Sequence, residues 1–398
     1  MPRLVGKGRF LKKERVEAVD IALFGSFAPK GGVQNRLAMM IPHWVQRGLR
    51  VEIVVFRDGQ LFYPDVLAPL VTLHRLSAQT KLGAAIGLAR YLRLRQPRVT
   101  LTSARIPNLI SLSANLLAGR RGRAVVCVTN PPGRSGAETP QWRRRRRGKL
   151  RWMRWLYPSA DAVVAISEGV KADLVRLAGL SAERVRVIYN GVLTPEVLRK
   201  AETPLAHPWF NDPATPVVVS AGRLSLQKDF AGLIRAFAKL RARRAARLVI
   251  LGEGPERQGL QDLAQSLGVA VDCQLPGYTE NPYAYMARAQ VFVLSSVWEG
   301  FGNVVAEALC LGTPVVATAC PGGPREILGE GRWGRLVAPG DSQALADAME
   351  KALGEQRTDA PAPSRERHCR RFSAEYAAAE YLRVMGLSEV EVSTDDDD

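Results

Sequence analysis

Glu299 and Glu307 stand on either side of a glycine-rich turn, Gly300-Phe301-Gly302-Asn303, with seven residues between them. Carboxylates accept hydrogen bonds and repel phosphate, so a pair spaced in this way suits hydroxyl groups at two ends of a ligand. Residues 291–314 begin as a short apolar, β-branched run, pass through the turn, and continue from Asn303 with apolar residues at helical spacing until Gly312-Thr313-Pro314 stops them. A strand, a tight loop and a helix in that order leave the first helical amides pointing outward, where they and the helix dipole favour an anion such as a diphosphate. A sugar and a ribose joined by a diphosphate fit that arrangement of charge. The same residues also suit a plain helix start, with Asn303 as N-cap and Glu307 complementing the dipole.

A second apolar run, residues 217–221, delivers Gly222-Arg223-Leu224 to its end, and Lys228-Asp229 precede the next helical pattern. Two cations beside exposed amides answer the charge that grows on a leaving diphosphate, although surface cations are unremarkable in a basic protein. Near the N-terminus Gly31-Gly32 sits between a strand at 19–25 and a helix at 34–46, where a backbone can approach a ligand closely or simply turn. Tyr278 follows Leu275-Pro276-Gly277 and suits either a stacked ligand ring or core packing, and Gly322-Gly323-Pro324 opens another helix. No metal is expected: His43, His74, His207 and His368 are dispersed, and no Asp-x-Asp ends a strand in a binding context.

Glu299-Gly300-Phe301-Gly302-Asn303 with Glu307 resembles the paired-glutamate motif of the retaining glycosyltransferases of family four, which have the GT-B fold. Gly222-Arg223-Leu224 with Lys228-Asp229 resembles that family's second motif. The resemblance implies that Glu299 contacts the transferred sugar, Glu307 the nucleotide ribose, and the loop amides of residues 300–303 the diphosphate, together with Arg223 and Lys228. It implies that the Gly31-Gly32 loop lies over the donor phosphates, that Tyr278 stands where the base is held, and that the Gly322-Gly323 turn lines the donor pocket. It further implies retention of configuration by front-side attack, a nucleotide-sugar donor of the UDP type, no metal or other cofactor, and an acceptor that is lipid-linked or a glycan, as in bacterial surface polysaccharide, lipopolysaccharide or glycolipid assembly. One departure stands out. Many relatives carry a His after a strand of the first domain, whereas here the run 124–129 is followed by Asn130-Pro131-Pro132, leaving Asn130 or Ser103 as substitutes.

Positioning such loops requires two α/β units. The 398 residues, 46% of them apolar, suffice for two cores. Strand candidates at 50–56, 70–73, 98–102, 124–129, 162–166 and 185–188 alternate with helical patterns at 82–94, 108–117 and 168–177, the signature of a parallel sheet covered on both faces. Together with these patterns, the resemblance implies two Rossmann-like doubly wound domains facing across a cleft. The first, residues 1–200, would bind the acceptor; the second, 201–372, the nucleotide-sugar. A helix over 373–387 would cross back to the first domain, an acidic tail at 388–398 would be disordered, and a proline-rich linker would run from Thr194 to Pro216. Five scattered cysteines read as core residues in a reducing compartment.

Charge is unevenly spread. Residues 1–200 carry 36 Lys and Arg against 12 Asp and Glu, and the remainder is net negative, within a total of +18. One half therefore meets something anionic. Residues 141–157 place Arg143, Arg144, Arg145, Arg146 and Arg147 beside Trp152 and Trp155 at near-helical spacing. This reads as an interfacial helix on anionic lipid, or as a solvated charge run before a helix whose aromatics are buried; no nucleic-acid motif accompanies it. The basic N-terminus lacks the apolar centre of a signal peptide, and no apolar run approaches the ~20 residues needed to span a bilayer, so the expected place is the cytoplasm, at the inner face of the cell membrane. Two rivals share the scaffold: a nucleotide-sugar 2-epimerase, for which inward carboxylates and a His in the first domain are expected, and a non-catalytic membrane- or nucleic-acid-binding protein, against which the intact Glu299, Glu307, Arg223 and Lys228 argue.

Overall fold

The computed structural model describes residues 18–25, 37, 39–55, 67, 69–76, 78–133, 140–212, 214–355 and 363–388, with the backbone alone at 140–146 and 149. Two parallel sheets organise it. The first has the order β3-β2-β1-β4-β5-β6-β7, from β1 (Ile21–Gly25), β2 (Val51–Val55), β3 (Thr72–Arg75), β4 (Val99–Ser103), β5 (Arg123–Val128), β6 (Ala162–Ala165) and β7 (Val185–Val187). The second has the order β10-β9-β8-β11-β12-β13, from β8 (Val217–Ala221), β9 (Arg247–Leu251), β10 (Cys273–Gly277), β11 (Val291–Leu294), β12 (Val315–Thr318) and β13 (Arg335–Val337). The central strands are mostly Val, Ile, Leu, Phe and Ala, buried along their whole length, as strands covered by helices on both faces must be.

The helices that cover the first sheet are α1 (Ile41–Val45), α2 (Lys81–Arg95), α3 (Arg105–Leu117), α4 (Pro140–Leu156) and α5 (Glu168–Ala178). Next come α6 (Pro195–Glu202), α7 (Phe230–Arg241), α8 (Arg257–Ser266), α9 (Pro282–Arg288), α10 (Asn303–Cys310), α11 (Pro324–Ile327), α12 (Ser342–Gly354), α13 (Pro363–Cys369) and α14 (Ala374–Met385). Side-chain caps from Thr80, Ser167, Asp229 and Ser373 start four of them, each accepting a hydrogen bond from an amide of the first turn. In each sheet the winding reverses beside the first strand, between β1 and β4 and between β8 and β11; crevices that hold ligands open at such points.

The expected return helix is present as α14. Its Ala378 carbonyl accepts the Trp44 indole N–H at 3.1 Å, and the Tyr381 hydroxyl donates to Cys127 Sγ at 3.3 Å, so α14 completes the core of the first lobe. Burial pushes the Cys127 thiol up to about 11, consistent with a structural role. All five cysteines are free thiols.

The structure departs from the sequence reading in places. The strand expected at 70–73 lies at Thr72–Arg75 and is a largely exposed edge. The proline-rich passage after residue 194 is not an open linker: Thr194 caps α6 and Pro195 sits in its first turn, where its fixed φ is favourable. That helix is tied to the second lobe, since Asn281 Nδ2 donates to the Lys200 carbonyl at 2.9 Å and Arg288 donates to that of Ala201 at 3.0 Å. Gly31, Gly32 and residues 389–398 lie outside the described residues.

Candidate functional site

The two strands flanking the switch point of the second sheet each deliver one charge. After β8, Gly222 and Arg223 lead into a short turn, Leu226–Lys228, that brings Lys228 back over the strand end. After β11, Ser295 and Ser296 lead into the Glu299 loop. Lys228 Nζ lies 2.7 Å from Glu299 Oε1, and the Ser296 hydroxyl donates to the same oxygen at 2.6 Å. Glu299 is 6% exposed, so this ion pair sits at the edge of the interior. Its geometry is held by the loops' own bonds. Ser295 Oγ donates to the Lys228 carbonyl at 2.7 Å, and Gln227 Nε2 donates to the Trp298 carbonyl at 2.9 Å. Lys228 gives one of three ammonium protons to Glu299, which leaves two for an anion beside it.

Beyond Glu299 the chain turns through Gly300 to Gly302, and α10 begins. Gly302 (φ +94°) is the N-cap and offers no side chain, so the first amides of α10 have no side-chain cap. Asn303 is therefore not the N-cap that the alternative reading of the sequence made it. It is the first helical residue, and its Oδ1 accepts a hydrogen bond from Asn190 Nδ2 of the first lobe at 2.8 Å. Glu307 is buried one turn further along α10.

The first lobe presses against this loop. Ser167, at the end of β6, accepts from the Val170 amide as the cap of α5 and donates to the Gly300 carbonyl at 2.7 Å. Gly300 itself is required by the approach of the Thr129 carbonyl, which would lie 2.2 Å from an added Cβ. The Glu326 carboxylate on α11 accepts the amides of Glu168 and Gly169 at 2.9 and 3.2 Å, which caps α5 from across the cleft. Burial holds the Glu326 carboxyl above its usual range despite those amides, and it helps push the neighbouring Tyr189 hydroxyl up to about 12, where burial is the larger cause. Phe301, whose loop amide the sequence reading places at the diphosphate, turns its side chain onto Tyr189 with centroids 5.5 Å apart and is buried, so that side chain fastens the lobes together.

Of the residues singled out from the sequence, Lys228, Glu299, Gly300, Gly302, Asn303 and Glu307 come together. Arg223 is exposed at the end of β8 beside them. Tyr278 is 65% exposed after β10, against the core-packing alternative. Gly322 and Gly323 approach the Glu299 and Phe301 carbonyls, so close chain packing explains them as well as a ligand does. Of the two substitutes for the missing His, Asn130 is exposed and Ser103 is 2% exposed, which favours Asn130. The sequence reading missed Ser296, Ser167, Asn190, Tyr189 and Glu326. Asn190 and Ser167 each end a strand of the first sheet, which was the available signal.

The α4 helix separates its apolar residues. Met153 and Leu156 are buried, whereas Trp152 and Trp155 are 54% and 70% exposed beside exposed Arg151 and Arg154. Arg147 is exposed; the side chains of Arg143 to Arg146 lie outside the described residues. Among the described residues no group of three or more His, Cys, Asp or Glu is gathered, and no helix is long and apolar enough to cross a membrane.

Comparison with known proteins agrees with this architecture. Residues 30–194 match the family model described as Glycosyltransferase Family 4, and residues 207–369 match Glycosyl transferases group 1. A Campylobacter jejuni relative named N-acetylgalactosamine-N,N'-diacetylbacillosaminyl-diphospho-undecaprenol 4-alpha-N-acetylgalactosaminyltransferase is 34% identical over 50% of this chain and 52% of its own. The lipopolysaccharide core biosynthesis glycosyltransferase LpsE of Rhizobium meliloti is 33% identical over 58% of this chain and 65% of its own. The matches thus span between about half and two-thirds of these relatives' lengths. Among solved structures, the lipopolysaccharide outer core galactosyltransferase WaaB superposes with a TM-score of 0.71 at 18% identity, covering 92% of this chain and 99% of its own. Anabaena HepE in complex with UDP and glucose gives 0.68 at 21%, covering 93% and 97%.

Proposed function

The chain belongs to glycosyltransferase family 4, with the GT-B fold, and from that premise we propose that it transfers a sugar from a nucleotide-sugar, of the UDP type, with retention of configuration. The acceptor is lipid-linked or a glycan, in bacterial polysaccharide, lipopolysaccharide or glycolipid assembly. The observation that carries this reading is the meeting of Lys228 and Glu299 at the crevice between β8 and β11.

In this reading Lys228, Arg223 and the first amides of α10 receive the diphosphate. Their positive character is fixed before reaction, so they stabilise the charge that develops as the glycosidic bond breaks without reorganising. This assigns to protein groups the work that a divalent cation does elsewhere, and no metal takes part. Glu299, oriented by Ser296 and Lys228, accepts from hydroxyls of the transferred sugar, and Glu307 from the ribose. Tyr278, exposed at the end of β10, stands by the base. An acceptor hydroxyl enters from the first-lobe side and attacks the face the phosphate leaves, with the departing oxygen taking its proton. The contacts across the cleft hold the two halves in register for that step.

The enzyme works at the inner face of the cell membrane, held peripherally by α4. It should pellet with anionic vesicles and be released by high salt. The test of the reaction is transfer or hydrolysis from a panel of UDP- and GDP-sugars in excess chelator, repeated with Glu299→Ala and Lys228→Ala. Turnover unchanged by both substitutions would remove the site assignment.

A further inference from the structure

The outer layer of the first lobe carries an unusual concentration of charge and apolar surface. Residues 81–156, which span α2 to α4, contain 18 Lys and Arg, 13 of them on the three helices, and a single acid, Glu138, against a net charge of +18 for the whole chain. The same three helices hold 7 of the 14 exposed large apolar side chains among the described residues, so the two features coincide. On α2, Leu82, Ile86 and Leu94 form one outward stripe with Arg90 and Arg93, while Ala84, Ala85, Leu88 and Leu92 face inward. Leu116 and Leu117 end α3, and an Arg93 guanidinium donates to the Leu117 carbonyl, which brings the two helix ends together. The α4 helix, packed beside α3, adds Trp152 and Trp155.

We infer that this whole three-helix layer, and not α4 alone, is a docking face for an anionic lipid bilayer, with Leu82, Ile86, Leu94, Leu116 and Leu117 entering the interface beside the tryptophans. The inference rests on the membrane reading given above and extends it to α2 and α3. Charge complementarity selects the occupant: a second copy of this face would meet it cation to cation, whereas anionic headgroups neutralise the arginines and the acyl boundary takes the leucines. Nucleic acid would answer the charge but not the aliphatic stripe. The layer also fixes an orientation. Helices connecting parallel strands run antiparallel to them, so the α4 end carrying residues 143–147 points toward the strand carboxyl ends and the cleft, and Trp152 and Trp155 point away. The lobe would lie on its side, with the cleft opening along the membrane surface.

The test is sedimentation of the full-length protein with vesicles of phosphatidylglycerol and phosphatidylcholine, at several salt concentrations. The variants are a triple change, Leu82→Ser with Ile86→Ser and Leu94→Ser, a double change, Leu116→Ser with Leu117→Ser, and a control in the second lobe, Val271→Ser. All five target positions are exposed, so melting temperatures should be preserved. The triple variant should lose about tenfold in vesicle partitioning, the double variant less, and the control nothing. Wild-type partitioning by the triple and double variants, alongside loss of pelleting when Arg143 to Arg147 are all replaced by Gln, would overturn the inference while leaving membrane contact through α4 intact. Failure of the wild-type protein to pellet would overturn both. Concentration-dependent self-association abolished by the triple variant, without any lipid dependence, would reassign the face to a second copy. Sugar transfer to a water-soluble acceptor should be the same in every variant, which separates this result from the fate of the active-site reading.

Discussion

The cleft edge of the second lobe and the outer face of the first use charge in opposite ways. At the cleft the charges are few, mostly buried and answered one by one: Lys228 by Glu299, Glu299 also by Ser296, Glu326 by two helix amides. On the outer face they are, among the described residues, numerous, exposed and of one sign. A buried charge left without a partner is costly, so each cleft residue must be placed to within a hydrogen bond, and that placement makes it able to recognise a particular atom. An exposed cation costs little wherever it stands, so a surface of them recognises only a field.

If that contrast holds, the two regions should fail separately. The largest effect belongs to the cleft. Lys228→Ala or Glu299→Ala should lower sugar transfer about 10³-fold while leaving vesicle binding as it was, because in the proposed mechanism each removes a group aimed at the developing charge or at the sugar. A parallel loss of vesicle binding would break the contrast. Next comes the converse: replacing Arg143 to Arg147 by Gln should weaken vesicle binding about a hundredfold at low salt and flatten its salt dependence, with transfer to a soluble acceptor unchanged. A smaller effect, about tenfold in kcat, is expected of Ser167→Ala and Asn190→Ala, which free Gly300 and Asn303 from the first lobe without touching the sugar. A change confined to KM would assign them to binding instead. The smallest sharpens the difference between buried and exposed positive charge. Burial holds His43 and His368 below the ordinary imidazole value of 6.5. Their contribution to stability is therefore complete above pH 6.5 and is lost as pH falls through the lowered folded values, so Tm should decline from about pH 7 to 5. His368→Phe should remove part of the decline, and a Tm that rises on acidification would contradict it.

Much of this was legible in the sequence, and the reason is local. The run from Val291 to Pro314 writes its strand, turn and helix in consecutive residues, and most strands of the first sheet, with β8 and β11 of the second, follow from apolar runs bounded by turns. What stayed hidden depends on contacts between distant residues. Ser167 and Gly300 are bonded at a separation of 133 residues, and nothing near either announces the other. The place of the Phe301 ring was hidden for the same reason: its partner, Tyr189, belongs to the other lobe. Asn303 looked like an N-cap because asparagine favours that place, but Gly302 takes it and frees the Asn303 amide side chain to reach Asn190. The tryptophans of α4 were ambiguous because apolar periodicity near 3.6 does not say which of two adjacent apolar faces turns inward.

The course of α14 has a consequence for how the molecule comes into being. Trp44 and Cys127 receive their neighbours from Ala378 and Tyr381, synthesised some 250 to 330 residues later. During translation the second lobe, whose sheet is drawn from a continuous stretch, can close as soon as it emerges, while the first must wait with part of its interior uncovered until residues 374–385 have followed it. The lobe made first is thus the one completed last, and a chain cut anywhere before residue 374 would leave it open.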